Sequence, residues 1–166
     1  MDSESVVAAC AVVIAVASLA VSVYEARATR QHNRHSVRPI LQLQRGMSNG
    51  QKAGIKLINS GLGPAVVVSS TLTLDGHVIG AWNKAGADRA RAGLVVRPYA
   101  VTFTETHTIA TGYEGFLLSV DPYEPEAHAE FLDLMTRRLQ LEIRYESLYG
   151  GENYRVTLRP RIEGES

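Results

Sequence analysis

The sequence predicts an all-β body, a sandwich of short strands with one inserted or appended helix, carried behind a single transmembrane helix. Three observations carry this. VVAACAVVIAVASLAVSVY, Val6 to Tyr24, has no charged residue over 19 positions. From Pro39 onward the chain breaks into seven or eight short alternating or β-branched runs, separated by turn residues. Only EPEAHAEFLDLMTRR, Glu124 to Arg138, has the character of a helix.

The apolar run comes first. At about 1.5 Å per residue its length is roughly 28 Å, close to the hydrocarbon thickness of a bilayer. A core helix of a soluble domain would carry a polar face, and this run offers only Ser18 and Ser22. The competing reading is a cleaved secretory signal, with Ser18-Leu19-Ala20 as its small-residue site. Signals begin with basic residues, whereas this chain begins Met1-Asp2-Ser3-Glu4. Asp2 and Glu4 precede the run, and Arg27, Arg30, Arg34 and Arg38 follow it. The positive-inside rule then puts the amino terminus outside and the remainder in the cytoplasm. In a continuing helix the four arginines would share one stripe that can meet anionic headgroups. Topology alone also accounts for them. Pro39 should end that helix, because the residue before a proline is driven out of the helical region. Within the run, Ala8, Ala11, Ala15, Ser18 and Ser22 recur at steps of three and four, a face about 80° wide. Small residues so placed allow close helix approach and hence self-association, although alanine is abundant throughout the run.

The β-runs follow in order. ILQLQR and GIKLIN alternate. AVVVSSTLTL (Ala65 to Leu74) ends at Asp75-Gly76, a hairpin signal before HVIGAW. AWNKAGADRARAG (Ala81 to Gly93) lacks a pattern and is expected as a long loop. YAVTFTETHTI (Tyr99 to Ile109) and YEGFLLSV are read as one strand each. LQLEIRYE and NYRVTLR flank Tyr149-Gly150-Gly151 as a closing hairpin. In the helix, acids lead and Arg137 and Arg138 close, which suits its dipole, and Phe131 and Met135 share a face expected to pack on a sheet. The expected layout is residues 1–38 as anchor and basic juxtamembrane helix, 39–162 as sandwich, and 163–166 as a disordered tail.

Asn59-x-Gly61-x-Gly63-Pro64-Ala65 between two strands, the second closing on Asp-Gly, resembles immunoglobulin-like β-sandwiches of bacterial proteins. The wider layout is similar to a group of uncharacterised bacterial single-pass membrane proteins. These share a short anchor, an Arg/His-rich stretch (here His32-Asn33-Arg34) leading to a Pro-led strand, and a terminal hairpin like IRYESLYGGENYRV. The resemblance covers most of the chain. It implies an immunoglobulin-like fold and a location in the bacterial cytoplasmic membrane, and it brings no catalytic residues.

Chemistry is sparse. Gly61-Leu62-Gly63 follows a strand but leads through Pro64 into another strand, so the helix that a dinucleotide site needs is missing. The two glycines are expected to supply turn geometry. Glu105 and His107 would share one face of a strand and, with His128, could hold a metal. An exposed polar strand face explains them equally well. Cys10 lies within the apolar run, where a thiolate is disfavoured. Asp121 and Glu124, beside Pro122 and Pro125, read as turn and cap residues. With 17 Lys+Arg against 17 Asp+Glu, no basic footprint for nucleic acid is indicated. No catalytic residue and no cofactor is expected. Trp82, the single tryptophan, is either an exposed partner-binding anchor in a loop or a side chain folded back onto the core. The leading expectation is a membrane-anchored cytoplasmic module that binds a protein partner or serves a membrane complex. The alternatives are a metal-dependent enzyme or sensor using Glu105 and His107, and an outward-facing adhesion-like domain.

Overall fold

The structure is a computed structural model that describes residues 2–104 and 106–161. Its compact units divide between Ser36 and Val37, and each is treated by itself.

The first unit is one helix, α1 (Ser3–Ser36). Alanine and leucine favour helix and no Gly or Pro interrupts it, and Glu4 in the first turn suits the positive helix end. Its 34 residues correspond to about 51 Å. The segment Cys10–Thr29, 20 residues of mean hydropathy 1.7, is long and apolar enough to cross a membrane, and none of it is buried. A signal sequence has the same composition and position. The helix stops at Ser36, three residues before Pro39, so Arg38 is not part of it. This shortens the expected arginine stripe to Arg27, Arg30 and Arg34.

The second unit is mostly β, and nine strands are seen among the described residues. They are β1 (Leu41–Gly46), β2 (Ala53–Asn59), β3 (Ala65–Leu74), β4 (His77–Gly80), β5 (Tyr99–Ala100), β6 (Thr108–Ile109), β7 (Glu114–Val120), β8 (Leu139–Glu146) and β9 (Tyr154–Leu158). They form two antiparallel sheets, ordered β1-β2-β7-β5 and β4-β3-β8-β9, with β6 also on β3. The alternation in β8 (Leu139, Leu141, Ile143 and Tyr145 buried) has the period-two pattern of a sheet with one buried face. Those residues join Leu41, Ile55, Leu57, Leu72 and Leu118 in a single core drawn from both sheets.

Two hairpins follow the sequence closely. Asp75 and Gly76 take φ of +50° and +81°, the left-handed pair that a two-residue turn matching strand twist requires. Leu74 accordingly pairs with His77. β8 and β9 pair from Leu141↔Leu158 to Tyr145↔Tyr154.

Three expectations are corrected. The stretch Ala81–Gly93 is not a long loop: it holds α2 (Lys84–Ala90), capped by Asn83, whose side chain accepts a bond from Gly86 N at 2.9 Å. Tyr99–Ile109 is not one strand. Its first end pairs with β7 in one sheet and its last with β3 in the other, so the chain changes sheets between them. The second helix is shorter than Glu124–Arg138. It consists of α3 (Ala129–Asp133), preceded by turns and continued by a π-helical segment, Leu134–Arg138. Phe131 and Met135 are nonetheless buried in the core as expected.

Candidate functional site

Of the candidate metal ligands, Glu105 lies outside the described residues. His107 is exposed on the segment that changes sheets, its ring 5.5 Å from that of Phe103. His128 is elsewhere: it is buried just before α3, with Nδ1 3.1 Å from Glu124 N and 3.0 Å from Glu124 O. Its ring stacks near Tyr123 at 5.8 Å. That geometry makes His128 a brace for the approach to α3. Among the described residues no three His, Cys, Asp or Glu side chains are placed to hold a metal ion.

The membrane-facing candidates lie mostly on α1. Arg27 is exposed there, as are Ala8, Ala11, Ala15, Ser18 and Ser22. The side chains of Arg30 and Arg34 fall outside the described part. Arg38 belongs to the β-body, where its guanidinium sits 4.9 Å above the Tyr154 ring.

Trp82 is a core residue, 1 % exposed, so the exposed-anchor reading is replaced by the folded-back one. The physical cause is its place between two elements. Its N–H donates to Ser70 Oγ of β3 at 2.9 Å, and its indole Nε1 donates to Val101 O at 2.8 Å. Its carbonyl accepts from Phe103 N at 3.3 Å. A large side chain with every polar group satisfied thus pins the α2 stretch and the sheet-changing segment to β3.

A groove of about 560 Å3 lies where the turn after α2 meets α3. Its apolar lining includes Leu74, Ala90, Leu94 and Leu134, with Glu130 and Arg138 among the polar groups. The size suits a small ligand. Its three charged groups are already engaged: Glu130 accepts from Val95 N at 3.1 Å, Asp133 pairs with Arg137 at 3.5 Å, and Arg138 forks onto both Asp75 oxygens at 2.8 and 2.7 Å. The bond from Arg138 holds the Asp75 carboxyl below the usual carboxylate range, and Asp75 in turn raises the Arg138 pKa. Since Asp75 N also donates to Arg138 O, this pair ties the β3–β4 turn to the start of β8. Its task there is structural.

The Asn59–Ala65 motif, which the sequence presents as turn glycines, forms a corner held by one buried side chain. Asn59, fully buried, accepts from Ile40 N (3.3 Å) and Gly61 N (3.1 Å) through Oδ1. Its Nδ2 donates to Gly63 O (2.9 Å), Ile109 O (3.3 Å) and Ala110 O (3.1 Å). One amide therefore joins the start of β1, the β2–β3 loop and the β6–β7 turn. Gly61 and Gly63 do not adopt left-handed φ. They are glycine because the chain packs on them: a Cβ would lie 2.3 Å from Ile40 N at Gly61 and 1.8 Å from Val37 O at Gly63.

No family model matches the chain, and no curated protein matches it.

Proposed function

We propose that this protein is a single-pass membrane protein whose β-body is an immunoglobulin-like binding module, held at the cytoplasmic face of a bacterial inner membrane. The observation that carries the reading is α1. A 20-residue, largely apolar segment with none of its residues buried is matched by the thickness of a bilayer, which supplies the apolar environment it lacks in water. Asp2 and Glu4 before the uncharged run Val6–Tyr24, and Arg27, Arg30 and Arg34 after it, favour an outside amino terminus. The immunoglobulin-like assignment is supported by strand order. β1-β2-β7-β5 and β4-β3-β8-β9 correspond in chain order to A-B-E-D facing C′-C-F-G. Sandwich domains of this kind commonly act through loops at their ends, and a partner protein or an accessory role in a membrane complex fits such a body. Crosslinking in native membranes tests this. A specific protein that co-purifies with the chain, and is lost when the surface of the β-body is altered but retained when the groove is blocked, is the expected result. Crosslinks to lipid alone would sink the binding-module reading.

A further inference from the structure

The groove beside α3 has a source in the sequence. Ala90, Ala92, Gly93 and Ala129 are among its lining, and their side chains are too small to close the space. One wall is the turn after α2, tied by Ala92 N donating to Arg89 O at 3.2 Å and Leu94 N to Arg91 O at 3.3 Å. The other wall is α3 with the π-helical segment, anchored in the core by Phe131 and Met135. Leu134 and the half-buried Leu74 add apolar surface. The bond from Val95 N to Glu130 at 3.1 Å joins the two walls, so the opening is formed before anything enters it.

The charges of the lining are met unequally. Arg138 has the opposite charge of Asp75 on its fork, and Asp133 has Arg137 at 3.5 Å. Glu130 is bonded to a neutral N–H, and among the described residues no cation pairs with it. Asp133, three residues on, is its neighbour on the helix surface and has the same sign. An anion entering the groove would meet both carboxylates. A neutral apolar molecule would leave the charge of Glu130 uncompensated. A cation on an apolar body answers both features, and an ammonium group donates the charge-assisted bonds that a carboxylate accepts most strongly.

We propose that this groove is a binding site for a small primary amine on an apolar body, with the ammonium on Glu130 and the apolar part against Leu74, Leu94 and Leu134. The site is distinct from a contact with a protein partner and does not depend on what α1 does.

Methyl-labelled full-length protein in detergent micelles tests this with three probes of one shape: cyclohexylammonium, cyclohexanol and cyclohexanecarboxylate. Leucine methyl resonances report the place of binding. Leu74, Leu94 and Leu134 line the groove, whereas Leu62 and Leu148 are exposed elsewhere and register a probe that merely coats the surface. Cyclohexylammonium should shift the groove methyls saturably and leave those of Leu62 and Leu148 unmoved. Cyclohexanol should bind at least about tenfold more weakly, the smallest contribution expected of a hydrogen bond to a charged group. The carboxylate should not bind. Glu130→Gln keeps an oxygen for Val95 N and removes the charge, so it should bring ammonium and alcohol to equal affinity. An acid that only suits the first turn of α3 would leave the preference unaltered. Absence of a saturable shift at the groove methyls overturns the proposal, as do equal shifts at Leu62 and Leu148. Equal affinity for ammonium and alcohol in the unaltered protein, or a preference that survives Glu130→Gln, overturns the assignment of an amine to Glu130.

Discussion

Trp82→Ala should destabilise the β-body by about 3–5 kcal/mol, the range for truncating a large buried aromatic. The expectation rests on a side chain that is 1 % exposed and holds two segments to β3 through its main chain and its indole. Truncation leaves a cavity between α2 and the sheet-changing segment, and it leaves Val101 O without its donor. Trp82→Phe separates these costs. It keeps most of the packing and loses the hydrogen bond, so about 1–3 kcal/mol is expected. Chemical denaturation of the full chain in detergent measures both. Because this is the only tryptophan, its own fluorescence is a further check. Emission from the folded protein should be blue-shifted and resist iodide quenching. A red-shifted, freely quenched signal, or an unaltered melt in Trp82→Ala, would contradict the assignment of Trp82 to the core.

Asn59→Ala should cost at least about 3 kcal/mol, because each buried polar group left without a partner costs about 1–3 kcal/mol. The deletion takes the side-chain partner from Ile40 N and Gly61 N and a bond from three carbonyls, of which Ala110 O keeps its bond from Tyr113 N. Asn59→Asp is more revealing. It preserves shape and acceptor, but replaces the donor facing three carbonyls with a charged oxygen. Its melt should therefore improve as pH falls and the carboxyl takes up a proton that it can donate. Ser60→Ala, at an exposed neighbour, should stay within about 0.5 kcal/mol. Equal, small effects at Asn59 and Ser60 would show that the corner is held by packing alone.

What the sequence disclosed follows from how local each signal is. The apolar helix, the Asp75-Gly76 hairpin and the Gly150-Gly151 hairpin are written in contiguous residues, and they appear where expected. Tyr99–Ile109 misleads because its β-branched alternation carries no information about which sheet each end joins. That choice depends on β7 and β3, both distant in the chain. α2 was legible in part. Asn83 is a good N-cap, and ADRARA favours helix, but an interior Gly86 and only seven residues obscured it. Trp82 could be read either way from sequence, since a tryptophan in a polar stretch fits an interface as well as a core. In the sequence Asn59 stands only as one position of a turn motif, and its five partners lie on three separate segments that only folding assembles. The pairing of Glu105 with His107 presumed a continuous strand. Around His107 the chain is instead changing sheets, and Thr106 has a φ of +57°.

The central claim is that α1 crosses the membrane and holds the β-body on its cytoplasmic side. Protease accessibility in intact spheroplasts, with the outer membrane removed, tests it most directly. The full-length chain should remain in the membrane fraction with its β-body undigested until the inner membrane is opened. Changing Arg27, Arg30 and Arg34 together to glutamate should expose the body to protease in a substantial share of molecules. Digestion of the unaltered protein from outside, or a soluble product beginning just after Ala20, would contradict the claim, the first by reversing the orientation and the second by showing the apolar segment to be a cleaved signal.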